Sequence, residues 1–239
     1  NFNTDEFRED YLKLKYSAFQ FDLHYAEYLA DCGKLDDAIA ILNESEFCKE
    51  DVVFLHRIIY SRTKGKDKEA LQLLKEHIEA IEEIDFGNIF NLNNLFRLFI
   101  PEYSSLKDEV NHILDVKRFS NEQIKELFRL TVQIYYFPED GEPEETIKVL
   151  SAIASSLHTE LSMNFYIAQL LYKIQGYREC SVILETLIEP QKQTTVNLLY
   201  AEARVKGGID LKSLLGFLED IRLVNENNLY QFLAIETNL

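Results

Sequence analysis

The side chains with which this chain of 239 residues could do chemistry are five histidines, three cysteines and 41 carboxylic acids, and their spacing limits what that chemistry is. His24, His56, His77, His112 and His158 are scattered, with no HExxH or paired-histidine spacing to hold a metal ion on one helix face. Cys32, Cys48 and Cys180 are odd in number and contain no CxxC pair, so neither a disulfide framework nor a zinc finger is expected, and a reducing, cytoplasmic setting fits them. GxSxG, GxxxxGK[ST] and GxGxxG are absent, which removes the hydrolase elbow and the phosphate-cradling loops. Spacing alone does not exclude a cysteine nucleophile, but Cys32 precedes a turn glycine and Cys180 takes a small-residue packing position. Carboxylate pairs are everywhere in so acidic a chain and carry no information. The expectation is a non-enzymatic protein without metal or cofactor.

The formal charge, 25 − 41 = −16, opposes binding to phosphate backbones, where affinity comes from Lys and Arg displacing counterions. Nucleic acid and anionic membrane are disfavoured as partners, and a basic or amphipathic protein segment is favoured, since long-range attraction speeds encounter. The short basic run Arg62, Lys64, Lys66 and Lys68 reads as a solvated turn. No apolar run approaches the ~18 residues of a membrane span. Asp5, Glu6, Glu9 and Asp10 make the N-terminus too acidic for a signal or transit peptide. Because the sequence begins at Asn1, it also reads as a piece of a longer protein, in which a catalytic or DNA-binding domain could lie elsewhere.

The elements that position these residues are helices. With 8 Gly and 4 Pro, 12 of 239 residues, the chain cannot supply the turns of a many-stranded sandwich or barrel. With 46% apolar residues it can bury a substantial core. One pattern recurs within it. Gly33-Lys34-Leu35-Asp36-Asp37-Ala38-Ile39-Ala40-Ile41-Leu42 is matched by Gly65-Lys66-Asp67-Lys68-Glu69-Ala70-Leu71-Gln72-Leu73-Leu74 at an offset of 65 − 33 = 32. Glycine permits the tight turn out of one helix, the small alanine lets the next helix approach, and leucine one turn later fills the groove between them. Tyr172-Lys173-Ile174-Gln175-Gly176-Tyr177-Arg178-Glu179-Cys180 is a third copy, read with Cys180 in the alanine place and a turn one residue shorter.

These stretches resemble the tetratricopeptide repeat. Its small, large, glycine, small and large positions fall on Ala26, Leu29, Gly33, Ala38 and Leu42, and again on Ala168, Leu171, Gly176, Cys180 and Leu184. The resemblance is clearest over 19–50, 51–81 and 161–190. It is poorer over 193–222, where Gly207-Gly208 makes the turn, and 86–157 departs from the pattern. In that centre Phe86, Ile89, Phe90, Leu92, Leu95, Phe96, Leu98 and Phe99 exceed a surface stripe and predict a helix buried on more than one side. Capping-box spacing predicts helix starts near 106 and 121, and Pro143 suits a first turn.

The predicted pairs are 18–31/35–46, 51–63/67–84, 87–100/105–117, 121–137/143–156, 161–175/178–188 and 193–206/210–222, with terminal helices near 5–16 and 226–237. The expected fold is all-α: one domain, 1–239, a right-handed α-solenoid of antiparallel helix pairs with about 14 helices. Its candidate break, a weak one, is the acidic loop 138–145.

The resemblance implies a concave face, built from the first helix of each pair, that takes a protein or peptide. Projected on this sequence, that face holds His24, Glu27, Asp31, His56 and Arg62, then Tyr166, Gln169 and Lys173, and finally Arg204, and Tyr172 falls on it as well. Where one subfamily clamps a chaperone C-terminal carboxylate with Lys and Asn, this chain has Leu23 and Glu27, so that clamp is not expected. Two other readings stay open: a sensor or regulatory part of a larger regulator or enzyme, and a helical small-ligand protein built around Phe90, Phe96, Phe99 and Tyr135.

Overall fold

The computed structural model describes residues 18–48, 51–99, 103–156, 161–188 and 194–208. The helices expected near 5–16, 210–222 and 226–237, and Gly216, lie outside them. Among the described residues there are eleven α-helices: α1 (Ala18–Asp31), α2 (Leu35–Glu44), α3 (Asp51–Thr63), α4 (Asp67–Ala80), α5 (Phe86–Arg97), α6 (Tyr103–Val116), α7 (Glu122–Tyr136), α8 (Pro143–Ser156), α9 (Leu161–Lys173), α10 (Tyr177–Glu185) and α11 (Thr194–Lys206). Two short strands, β1 (Glu83–Ile84) and β2 (Arg118–Phe119), flank the α5–α6 pair. Odd-numbered helices are the A helices of the pairs, even-numbered ones the B helices.

The turns show why the pairs form. Residues 32–34, 64–66 and 174–176 join α1 to α2, α3 to α4 and α9 to α10, three residues each time. In each, the first N–H after a left-handed residue reaches back to the helix: Lys34 to Leu29 O at 2.8 Å, Lys66 to Ser61 O at 2.9 Å and Gly176 to Leu171 O at 2.9 Å. That is the Schellman arrangement, which satisfies a carbonyl the helix end leaves open. The left-handed residue is Gly33 (φ +76°) or Gly65 (φ +72°), as glycine's missing Cβ predicts, but Gln175 (φ +64°) in the third copy. The third turn is therefore not shorter; its glycine stands one place late. Gly176 answers a different demand, since a Cβ there would lie 3.0 Å from Ile147 Cγ1.

Counting from the left-handed residue aligns the core. Ala38, Ala70 and Cys180 are each fully buried five residues on, and Leu42, Leu74 and Leu184 are fully buried nine residues on. Each such leucine contributes about 1.5–3 kcal/mol by leaving water. The small residue in front of it sets how closely the B helix approaches its A helix.

The chain divides into two compact units, Asn1–Ser120 and Asn121–Leu239. The 138–145 loop lies inside the second and is tied down there: the side chain of Gln133 covers Gly141 and donates to Thr146 Oγ1 at 3.4 Å. In unit 1, α4 stops at Ala80 rather than running to 84, and Ile81 is already extended (φ −73°, ψ 116°). Tertiary pairing overrides the helical pattern here. Glu83 and Ile84 pair in parallel with Arg118 and Phe119, Ile84 is buried, and Ser120 N–H continues the ladder to Ile84 O at 3.0 Å. Lys117 Nζ closes the end of α4 by donating to Glu79 O at 3.0 Å and Ile81 O at 2.9 Å. These strands are the one departure from an all-α reading among the described residues.

Of the remaining starts, that of α6 differs most from expectation. Asp85 and Asn88 form a reciprocal capping box on α5, Asn88 N–H to Asp85 Oδ1 at 2.9 Å and Asp85 N–H to Asn88 Oδ1 at 3.1 Å. Helix α6 begins at Tyr103, ahead of the predicted 106, and α7 is capped by Asn121, whose Oδ1 accepts from Ile124 N–H at 2.9 Å. In α5, Ile89, Leu92, Leu95 and Phe96 are buried, whereas Phe90 is half exposed.

Candidate functional site

The projected site residues fall five in unit 1 and four in unit 2. In unit 1 the structure brings a real cluster together on adjacent A helices. His56 on α3 sets Nε2 3.4 Å from Glu27 Oε1 on α1, while its Nδ1 lies 2.8 Å from Val52 O, so both ring nitrogens face oxygen acceptors. The imidazole packs edge-on against Tyr60, with centroids 5.8 Å apart. Burial raises the Tyr60 phenol above its usual range, and the carboxylates of Glu27 and Asp31 push it further in the same direction. Glu27, Asp31, His56 and Tyr60 are thus one acidic patch over a buried aromatic floor. His24 is exposed on the same helix as Glu27, three residues before it.

Arg62 does not present a free charge. Its Nη1 lies 3.2 Å from Asp67 Oδ1 and its guanidinium sits 5.0 Å from the centre of the Phe99 ring, leaving the side chain 20% exposed. Two lysines of the basic run are also engaged. Lys64 pairs with Asp36, whose carboxyl is held below its usual range chiefly by that bond, and Lys66 Nζ lies 3.2 Å from Glu69 Oε2. This run links one A–B turn to the next.

In unit 2, Tyr166 is a core residue and not part of a contact surface. It is buried against α7, and its hydroxyl lies 3.4 Å from Thr131 Oγ1, itself fully buried. Burial holds the phenol far above its ordinary range. Gln169 and Lys173 are exposed, with Lys173 Nζ 4.8 Å from the Tyr135 ring centre. Arg204 is half-buried and lies 5.7 Å from the Tyr200 ring centre on its own helix.

Of a second cluster here, sequence projection reached Tyr172 but not Glu202 or Lys206. Tyr172 on α9 donates its hydroxyl to Glu202 Oε2 on α11 at 3.0 Å and accepts a hydrogen bond from Lys206 Nζ. The signal for it lies in the turn register. Glu202 and Lys206 stand six and two residues before the left-handed Gly208, as Glu27 and Asp31 stand before Gly33. On the B-helix side of unit 1, a recess of about 380 Å³ between α4 and α6 is lined by Lys75, Ile78, Glu79, Asp108, Glu109, His112 and Lys117. Lys75 and Glu109 pair across it at 2.7 Å.

Four turns now share one register: a left-handed residue, a small buried residue seven places before it or five after, and A helices whose polar side chains meet. Ala26, Ala168 and Ala201, each fully buried, are the small residues on the A side. These hairpins resemble tetratricopeptide repeats. No family model matches the chain, and no curated protein matches it. Among solved structures it is similar to the TPR2AB domain of yeast Sti1, in a complex with pHSP90, at 13% identity and a TM-score of 0.35, over 91% of this chain and 96% of that one. The turn register, and not that loose overlay, carries the fold.

Among the described residues, no group of three or more His, Cys, Asp and Glu could hold a metal ion, and no helix is long and apolar enough to cross a membrane. Phe96 and Phe99 are fully buried in unit 1, whereas Tyr135 belongs to unit 2.

Proposed function

We propose that this chain is a non-enzymatic, cytoplasmic scaffold or adaptor that binds a protein or peptide on the faces of its A helices, and that its ligand is basic or amphipathic. The observation that carries the reading is the convergence of Glu27 and Asp31 on Tyr60 beside His56. Carboxylates at a surface attract a basic segment at long range. An aromatic body with a polar tip gives such a segment contact area at little conformational cost. The net charge of −16 adds to the steering. Burial pushes the Cys180 thiol up to about 12, so this cysteine stays protonated at neutral pH and serves packing rather than nucleophilic chemistry.

The test is selection of peptides from a random display library on the folded chain, followed by titration of the selected peptides at two salt concentrations. Lys- and Arg-rich selections whose affinity falls at least about tenfold, ~1.4 kcal/mol, in a Glu27→Lys/Asp31→Lys double variant support the reading. Selected peptides that bind the double variant as well as wild type, with unchanged circular dichroism, overturn it.

A further inference from the structure

In unit 2 the ends of three helices meet around a surface ammonium group. Lys206 Nζ, from the last turn of α11, lies 4.6 Å from the ring centre of Tyr172 and 5.7 Å from that of Tyr177. The two rings meet edge to face at 5.4 Å and 69°, so they form adjoining walls rather than a stack. Glu202 closes the arrangement through the Tyr172 hydroxyl, which gives its proton to the carboxylate and its oxygen lone pair to the ammonium. Two electron-rich ring faces and a nearby negative charge are the chemistry that favours a cation over an apolar group.

We infer that Tyr172, Tyr177 and Glu202 form a recognition site for a lysine side chain of a protein partner, which Lys206 fills when no partner is bound. The occupant of the cage in the free chain is itself a lysine, which fixes the chemistry the cage accepts. Lys206 is exposed and holds its head group there on a flexible four-carbon stem. An arriving ammonium of the same kind can therefore replace it while Lys206 swings into water without disturbing the helices. Register supplies a comparison within the same unit. Lys173 stands two residues before Gln175 as Lys206 stands two before Gly208, and it too lies over a tyrosine of the preceding A helix, Tyr135. That second contact has one ring, whereas the Lys206 site has two rings and an acid. The inference rests on the proposed use of the A-helix faces for the source of the lysine, but its residues are independent of the Glu27–Asp31 patch.

The experiment is an NMR titration of the whole chain with N-acetyl-lysine methylamide, using N-acetyl-norleucine methylamide as the uncharged control. In wild type, the Lys206 side-chain signals, shifted upfield by the two rings, move toward free-lysine positions as the lysine probe is added and stay put with the control. Lys206→Met empties the cage and tightens probe binding by roughly tenfold, since apparent affinity scales with the competent fraction; adding Tyr172→Leu removes the gain. Unmoved Lys206 signals, equal response to both probes, or the same affinity in wild type and a folded Lys206→Met variant overturns the site. A display-selected basic peptide that still requires Glu27 and Asp31 in that event leaves the broader reading standing.

Discussion

Gln175 holds, at φ +64°, the backbone position that Gly33 holds at φ +76°, each followed by an N–H bonded to the carbonyl five residues back. A residue with a Cβ is disfavoured there by roughly 1–2 kcal/mol. Gln175→Gly is expected to stabilise the chain by about 1 kcal/mol after glycine's greater freedom in the unfolded state is subtracted. Urea unfolding of the two proteins checks it: the midpoint rises with an unchanged slope, and an unshifted midpoint refutes the assignment.

The neighbouring glycine has the opposite requirement. Gly176 has an ordinary φ of −74°, but a methyl group there would meet Ile147 Cγ1 at 3.0 Å and Leu171 Cδ2 at 3.3 Å. Gly176→Ala is expected to cost about 1 kcal/mol, the overpacking outweighing the freedom that alanine removes from the unfolded chain. Lys34 and Lys66 occupy the same turn position in the first two pairs, so the loss belongs to this contact and not to the turn. Denaturant titration of Gly176→Ala beside Gln175→Gly separates the two causes by sign.

Arg62 and Lys173 both contribute positive charge to the A helices, but only one of them is held on both sides. Arg62→Glu removes the Asp67 pair and the Phe99 contact and sets two acids together, for a loss of about 1–2 kcal/mol. Lys173→Glu, at an exposed position, should change stability by no more than ~0.5 kcal/mol. Thermal and urea unfolding of the two variants gives the comparison, and equal effects contradict the packing described for Arg62.

Alkaline pH offers a test of the core. The Cys180 thiol is raised by burial from 9.0 to about 12, so between these values the unfolded chain loses a proton that the folded chain keeps. Its contribution is complete below pH 9 and disappears as pH rises toward 12, at about 1.4 kcal/mol per pH unit. The tyrosines raised by burial add their own decline above pH 9, because the unfolded chain ionises them around 10.0, so the readout is a difference: between pH 9 and 11 the decline for Cys180→Ala should be shallower than that of wild type. A decline of unchanged steepness in the variant assigns it to other groups.

The helix pairs were legible because a glycine, a small residue and a leucine recur at fixed intervals, and each answers a local demand of one hairpin. Legibility failed where the demand came from elsewhere in the chain. Residues 81–84 carry isoleucines three apart, which suits a helix, yet Ile84 is used as a strand because Phe119 pairs with it. The repeat pattern points to glycine at 176 as the turn residue, although the strained conformation is one place earlier and the glycine makes room for Ile147. The site divides in the same way. The proximity of Glu27 to His56 follows from repeat register alone, whereas the placements of Arg62 and Tyr166 depend on Phe99 and Thr131, 37 and 35 residues away.

The parallel pairing of Glu83 with Arg118 and Ile84 with Phe119 spans 35 residues, about one helix pair. The chain therefore leaves the α5–α6 pair beside the point where it entered, and travelling in the same direction. Neighbouring strands lie about 4.8 Å apart, so the whole excursion through two helices moves the backbone sideways by roughly one strand spacing. The α5–α6 pair is thus a loop in the path of the chain, fastened at its neck by a two-residue ladder.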